Sequence, residues 1–448
     1  MQIDKNANSP ARERLALLFD DGIYSEINSM VREKDTLTGV VTAYGYVNGN
    51  AVYAFSQDKT VNSAAMGIKQ AEKITKLYEL AAKTGAPIVG IHDSDGAYVD
   101  GTAASLAAYG KIIAAASQVS GVVPQISVIT GTCAGSAALI ACSSDFVIMT
   151  KESELFMAPC SNDNPGTAQK AAEAGLASLL CNDDKSALDK ARELINLLPV
   201  NNLSAVPMFE YNESGIAPAS DLESLTGSVA DADSIIEIGS EYGTSAYTAL
   251  ASIGGTAAGI AATNKSKEKL TADDCAKLAR FMRTCDAFSI PVVTFVDTEG
   301  FADGDTISGI KAMTLLANSY AEATTVKISV VTGKSSGPVF TAVAGNSSGS
   351  DFTFAWENAV ISPFASETAV EFLWHDKLRG AENLEAKRKE LAAEYEASLA
   401  SAASAAEFNY IDEIISSADT RKAVMSAFDI LSGKRVQKLP KKHNNIPF

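Results

Sequence analysis

Two stretches of the chain repeat one order of apolar and polar positions. In the first, the helix-like run AEKITKLYELAAKTGAP (71–87) leads into the uninterrupted apolar strand IVGI (88–91), then Asp93-Ser94-Asp95-Gly96. In the second, CAKLARFMRTCDAFSIP (275–291) leads into VVTFV (292–296), then Asp297-Thr298-Glu299-Gly300. Each acidic turn precedes a helix-like segment and a second apolar strand, QISVIT (125–130) and KISVVT (327–332). Each second strand runs into a glycine turn, GTCAGS from Gly131 to Ser136 and GKSSGP from Gly333 to Pro338, and then into DFVIMT (145–150) or DFTFAW (351–356). Strands without polar alternation, separated by helices, predict β-structure buried on both faces in a layered α/β architecture. Two copies of one unit predict two similar domains. Their join falls in 195–235, where LPVNNLSAVP and a Ser/Asp/Glu-rich stretch interrupt the pattern, and the division is drawn at 1–205 and 206–448. Residues 381–407 predict one strong helix by propensity, for packing or subunit contact. The tail KLPKKHNNIPF reads as a solvated terminus unless it docks.

With 448 residues, 46% of them hydrophobic and 20% charged, the chain can bury large cores and does not read as disordered. The 54 acidic against 37 basic residues give a formal net charge of −17. A protein that grips a nucleic-acid backbone needs the opposite balance, so no nucleic-acid partner is expected. A small anionic ligand stays open, because backbone N–H groups and a few local lysines can hold one whatever the global sign. The N-terminal residues show no signal-peptide pattern. Residues 112–144 carry no charge, but Gln118, Pro124, Gln125 and scattered Ser, Thr and Gly make them a buried helix, a buried strand and a glycine turn rather than a membrane span. Six cysteines, Cys133, Cys142, Cys160, Cys181, Cys275 and Cys285, form no CxxC pair and read as reduced thiols in the cytoplasm.

Common catalytic side chains are scarce. There are three histidines, His92, His375 and His443, and no HxH, HExxH or Cys/His spacing, so no metal is expected. His92, at the end of a strand, reads as structural. No GxSxG elbow or GxxxxGK[ST] loop occurs. What remains is backbone chemistry. A glycine turn between a buried strand and a helix leaves N–H groups free to hold an oxyanion, although Gly131 and Gly135 would equally permit tight strand–helix packing. The duplication favours the first reading, since two equivalent turns can serve two oxyanions in one reaction without a histidine base.

The segments ARERLALLFDDGIYSEI (11–27), GVVTAYGYVNGNAVYAFSQDKTV (39–61), SGVVPQISVITGTCAGSAAL (120–139), ARFMRTCDAFSIPVVTFVDTEGF (279–301), SYAEATTVKISVVTG (319–333) and KKHNNIPF (441–448) give the whole chain a resemblance. It resembles the carboxyltransferase subunits of biotin-dependent acyl-CoA carboxylases and decarboxylases. The resemblance implies two tandem crotonase-like domains and a trimer of dimers, with each active site between the N-half of one chain and the C-half of its partner. The N-half would take the acyl-CoA and the C-half the biotin. A carboxyl group would move between carboxybiotin on a separate carrier and a small acyl-CoA of the acetyl, propionyl or methylmalonyl class. No AMKM-like biotinylation site occurs, so biotin would arrive on a biotin carboxyl carrier protein, with a biotin carboxylase or a membrane decarboxylase subunit as further partner.

By the same resemblance, the thioester oxyanion would meet N–H groups around Gly135 and Ser136, with Gly96 and Ala97 as the other donor turn. The biotin oxyanion would meet Gly337 and Val339. Ser63, Ala64 and Ala65 would lie along the coenzyme A, and Thr341 would contribute to acyl selectivity. Lys69, Lys73 and Lys76 could meet its phosphates or form a solvated helix face. Three departures stand out: Pro338 lacks an N–H where the family has glycine, DSDGAY (93–98) replaces DSGGAR, and Ser63-Ala64-Ala65 replaces a glycine pair. These departures support a second reading, a degenerate non-catalytic subunit of a heteromeric complex. A crotonase-like hydratase or hydrolase would need a positioned carboxylate, and Asp93, Asp95 and Glu299 read as turn formers.

Overall fold

The computed structural model describes residues 9–33, 36–158, 166–217, 221–266, 269–302 and 306–446. The chain divides into two compact units, Met1–Pro207 and Met208–Phe448. Each is built on an eight-stranded sheet. In the first unit the strands are β1 (Tyr24–Ile27), β2 (Val40–Val47), β3 (Asn50–Gln57), β4 (Ile88–Ser94), β5 (Gln125–Ala134), β6 (Phe146–Thr150), β7 (Glu154–Phe156) and β8 (Leu179–Cys181). In the second they are β9 (Ile236–Glu237), β10 (Tyr247–Ile253), β11 (Thr256–Ala262), β12 (Val292–Thr298), β13 (Lys327–Ser336), β14 (Phe352–Trp356), β15 (Val360–Ser362) and β16 (Glu413–Ile415).

The repeat read from the sequence is a repeat of topology. The first sheet runs β1-β2-β3-β4-β5-β6-β8 with β7 beside β5; the second runs β9-β10-β11-β12-β13-β14-β16 with β15 beside β13. In both, the first three strands are antiparallel and the rest pair in parallel. The register shifts at the same place in each, between His92 and Ser94 and between Val296 and Thr298. Every residue of β4 is buried, as a strand covered on both faces must be.

The helices follow from local signals. Helix α1 (Ile68–Thr84) ends at Gly85, whose left-handed backbone (φ +67°) lets its N–H return to the Ala81 carbonyl. Its counterpart α2 (Ala272–Ala287) starts with a capping box between Thr271 and Asp274. Residues 381–407 differ from expectation: they form two helices, α3 (Leu384–Ser398) and α4 (Ala402–Glu407). The break at 399–401 is set by the sheet, because the Ala400 carbonyl accepts Ile361 N–H from β15 and Ala402 N–H donates to Ala359. The tail docks: Lys438 and Lys441 pair with Glu322, and Asn444 Nδ2 donates to Asn318. Among the described residues no helix is long and apolar enough to cross a membrane. The described cysteines are all unbridged; Cys160 lies outside the described residues.

Candidate active site

Strand β5 ends at Gly135, which turns with φ +66° into the helix Ser136–Cys142. The Gly135 N–H is not free: it donates to the Phe156 carbonyl of β7 at 2.8 Å. Ser136 N–H has no hydrogen-bond partner among the described residues. A Cβ on Gly135 would meet nothing within 4 Å, so the turn opens onto space. Strand β4 supplies a second arm. Gly96 (φ +110°) follows Asp95, donates to Ser94 Oγ at 3.1 Å and accepts Met66 N–H at 2.8 Å. Ala97 is exposed, and its N–H is unpartnered among the described residues. The arms meet, since a Cβ on Gly96 would stand 3.5 Å from the Ala134 carbonyl. Two unengaged N–H groups at the ends of adjacent parallel strands make a donor pair suited to an oxyanion.

Beside this pair lies a strained turn. Asn62, Ser63 and Ala64 all have positive φ, between 50° and 54°, which side chains with a Cβ seldom adopt. The turn is held in place by the second arm. Ser94 Oγ donates to the Ala64 carbonyl at 2.8 Å, Gln70 Nε2 donates to the same oxygen at 3.2 Å, and Asp95 N–H donates to Ser63. The structure therefore brings together Ser63, Ala64, Ala65, Gly96, Ala97, Gly135 and Ser136 in the first unit.

The second unit repeats the geometry. Strand β13 ends at Gly337 (φ +64°), whose N–H donates to Ser362 of β15 at 2.8 Å. Gly300 (φ +117°) ends the other arm, and a Cβ there would lie 3.5 Å from the Ser336 carbonyl. Pro338 occupies the position of Ser136, so the turn keeps only the Val339 N–H, with Thr341 exposed on the irregular helical turn Phe340–Ala344. The partner of Ala97 here is Phe301, whose N–H has no described hydrogen-bond partner. Sequence reasoning passed over Phe301, although the alignment of DSDGA with DTEGF points to it.

The acidic residues of these turns are ion-paired, Asp93 in the interior and Asp95 and Glu299 near the surface. Asp93 is buried and ion-paired with Arg14 Nη1 at 3.1 Å, while Arg14 Nε reaches Asp184 at 2.7 Å. Asp95 pairs with Lys59 at 2.7 Å and Glu299 with Lys334 at 3.1 Å. His92 sits edge-on to Phe55 and shares a hydrogen bond with Ser127; burial pushes its pKa down to about 4, so it stays neutral. Burial also pushes the Cys133 thiol well above its usual range, which keeps it protonated and inert. Lys73 turns away from any phosphate: its buried ammonium donates to the Val40 carbonyl at 2.6 Å and to Thr38 Oγ1 at 3.2 Å. Desolvation lowers its pKa to about 8. Lys69 and Lys76 pair with Glu72 and Glu79 on the exposed helix face.

Residues 4–446 match the carboxyl transferase domain. The chain belongs to that family. This carboxyl transferase is 34% identical to the methylmalonyl-CoA decarboxylase subunit alpha of Propionigenium modestum, over 98% of this chain and 93% of that protein. It is 32% identical to the propionyl-CoA carboxylase beta chain of Cereibacter sphaeroides, over 99% and 94%. Among solved structures it superposes on one chain of transcarboxylase 12S, solved as a hexamer with methylmalonyl-CoA and methylmalonic acid bound. That match has a TM-score of 0.92 and 30% identity, over 98% of this chain and 92% of the other. The carboxyl transferase thus has the expected α/β architecture, two tandem crotonase-like domains related by an internal repeat.

Proposed function

We propose that this carboxyl transferase moves a carboxyl group between biotin on a separate carrier and a small acyl-CoA of the propionyl/methylmalonyl class. The observation that carries this reading is the duplicated strand–glycine turn–helix, each copy facing a second glycine arm, within a chain alignable end to end with proteins of that activity.

In the first unit, Ala97 and Ser136 N–H groups hold the thioester oxygen. When the bond between the α-carbon and the carboxyl carbon breaks, its electron pair passes into the thioester enolate, and charge grows on the oxygen these donors face. Preorganised donors are most effective there, because they need no reorganisation as the charge develops. Ser63, Ala64 and Ala65 border the path of the coenzyme A, held by Ser94 and Asp95. Phe301 and Val339 N–H groups fit the ureido oxygen of biotin, and Thr341 borders the same turn. Biotin, when bound, supplies the ureido nitrogen that accepts or delivers the carboxyl group. We place the acyl-CoA side in 1–205 and the biotin side in 206–448, and propose an oligomer, a trimer of dimers, in which a site draws on both halves. A biotin carrier protein and either a biotin carboxylase or a membrane decarboxylase subunit complete the system, and the working compartment is the cytoplasm.

Pro338 favours a second reading, a non-catalytic subunit, because losing one oxyanion donor lowers rate by roughly two to three orders of magnitude. One assay separates the two. Purified chain is incubated with methylmalonyl-CoA, with and without free biotin, and propionyl-CoA is followed by mass spectrometry. Biotin-dependent conversion is expected. Binding of the ester without turnover would establish the non-catalytic reading instead.

A further inference from the structure

A single ammonium group bridges the two arms of the acyl-CoA turn. Lys59 Nζ lies 2.7 Å from Asp95 Oδ1, at the residue before Gly96, and donates to Thr132 Oγ1 at 2.9 Å, three residues before Gly135. Its backbone is fixed from below. Asp58 is buried, accepts hydrogen bonds from the Ser9 hydroxyl and from Thr60 N–H and Oγ1, and donates its own N–H to the Gly39 carbonyl at 3.0 Å. The ammonium is thus carried on a rigid turn, beside the neutral N–H dipoles of Ala97 and Ser136.

We propose that Lys59 is the specificity residue of the acyl-CoA site, reading the carboxylate of a malonyl-type thioester, with Asp95 as its resident competitor. The inference rests on the carboxyltransferase reading above. In a malonyl-type ester the carboxylate sits on the α-carbon, one carbon from the thioester carbonyl. A thioester oxygen held by Ala97 and Ser136 therefore fixes the carboxylate close to the ends of both arms, where Lys59 is the cation. The decarboxylated ester has no such group to offer. Asp95 alone would repel the substrate's carboxylate; paired with Lys59 it does not. The exchange is feasible because both side chains of the pair are well exposed, 39% and 46%, and an ion pair of that exposure is weak enough to be displaced.

The second unit carries a comparable pair. By the repeat, Asp95 corresponds to Glu299 and Thr132 to Lys334, and Lys334 pairs with Glu299 at 3.1 Å and with Glu396 at 3.5 Å. An ammonium–carboxylate pair therefore flanks the glycine arms in both units, though the lysine lies just after β3 in the first and within β13 in the second.

The test is calorimetric binding of methylmalonyl-CoA and propionyl-CoA to the full chain and to its K59M, K59R and D95N variants. Lys59→Met is expected to weaken methylmalonyl-CoA binding about tenfold or more while leaving propionyl-CoA binding unchanged, and Lys59→Arg to restore most of the difference. Asp95→Asn is expected to tighten methylmalonyl-CoA severalfold. Equal weakening of both esters in Lys59→Met, or no change in either, overturns the proposal. Wild-type chain that binds neither ester overturns the acyl-CoA reading and this proposal together, whereas biotin-dependent turnover with no charge discrimination overturns this proposal alone.

Discussion

Asp93 lies directly beneath Gly131: a Cβ added to that glycine would stand 2.2 Å from the Asp93 carboxylate oxygen. Asp297 stands under Gly333 at the same 2.2 Å, and there the carboxylate also accepts Lys334 N–H at 2.8 Å. Each donor arm thus packs against a carboxylate of the neighbouring strand that only glycine leaves room for, buried at Asp93 and half-buried at Asp297. Gly131→Ala is expected to push Asp93 away from Arg14 and destabilise the chain by about 2 kcal/mol or more, through overpacking and a weakened buried ion pair. Thermal or urea unfolding of the variant measures it, and a change below about 0.5 kcal/mol would mean the arm is softer than its packing indicates.

Pro338 removes a donor from the biotin-side turn, so giving it back should help. Pro338→Ala restores an N–H at the first helical position without asking for a positive φ. Biotin-dependent decarboxylation of methylmalonyl-CoA is expected to rise about tenfold or more in kcat, since one oxyanion donor is worth roughly 10²–10³. An unchanged kcat would show that this N–H is not aimed at the developing charge.

The mirror substitution tests the acyl-CoA side. Ser136→Pro deletes the matching donor, and the Gly337-Pro338 turn shows that such a backbone accommodates proline after a glycine at φ +64°. Turnover is expected to fall roughly 10²–10³-fold, with the fold intact by circular dichroism and propionyl-CoA binding little changed. Retained turnover would move the thioester oxygen away from this turn.

Lys73 gives the chain a pH signature. Its buried ammonium has a folded pKa of about 8 against the usual 10.5, chiefly through desolvation. Below pH 8 the group is protonated in both states and carries its full burial penalty. Between about 8 and 10.5 the unfolded chain binds the extra proton, so stability rises with pH, and above that window the penalty is gone. Measured against Lys73→Met at each pH, wild type is expected to gain about 3 kcal/mol across that window. A difference that stays flat would mean the ammonium remains charged in the fold. Lys277, which donates to Ala246 at 2.9 Å and is also lowered to about 8, should behave alike.

Much of the fold was legible because buried parallel strands leave a continuous apolar trace and a duplicated trace implies a duplicated sheet. The glycine turns were legible because a strand that turns sharply into a helix with positive φ favours glycine, as at Gly135 and Gly337. The function of individual atoms was less so. Sequence alone could not show that Gly135 and Gly337 spend their N–H groups on Phe156 and Ser362, leaving donor duty to Ser136 and Val339. It could not separate Lys73, sealed against Val40, from Lys69 and Lys76 on the solvent face of the same helix. It also could not break the helix predicted over 381–407, because the break is made by hydrogen bonds with β15 and the residue just before it.

By itself, the sequence determined the two-copy α/β plan, the shortage of side-chain acid–base groups and the placement of four glycine arms, all of which follow from local periodicity and from residue type. Tertiary structure alone decided which backbone N–H groups remain unpaired and which lysine meets which carboxylate. Lys59 and Thr132 are 73 positions apart, and Gly135 follows β5 while its partner Phe156 lies in β7. Hydrogen-bond partners across a sheet depend on strand order and register, and those are settled only when the whole core packs.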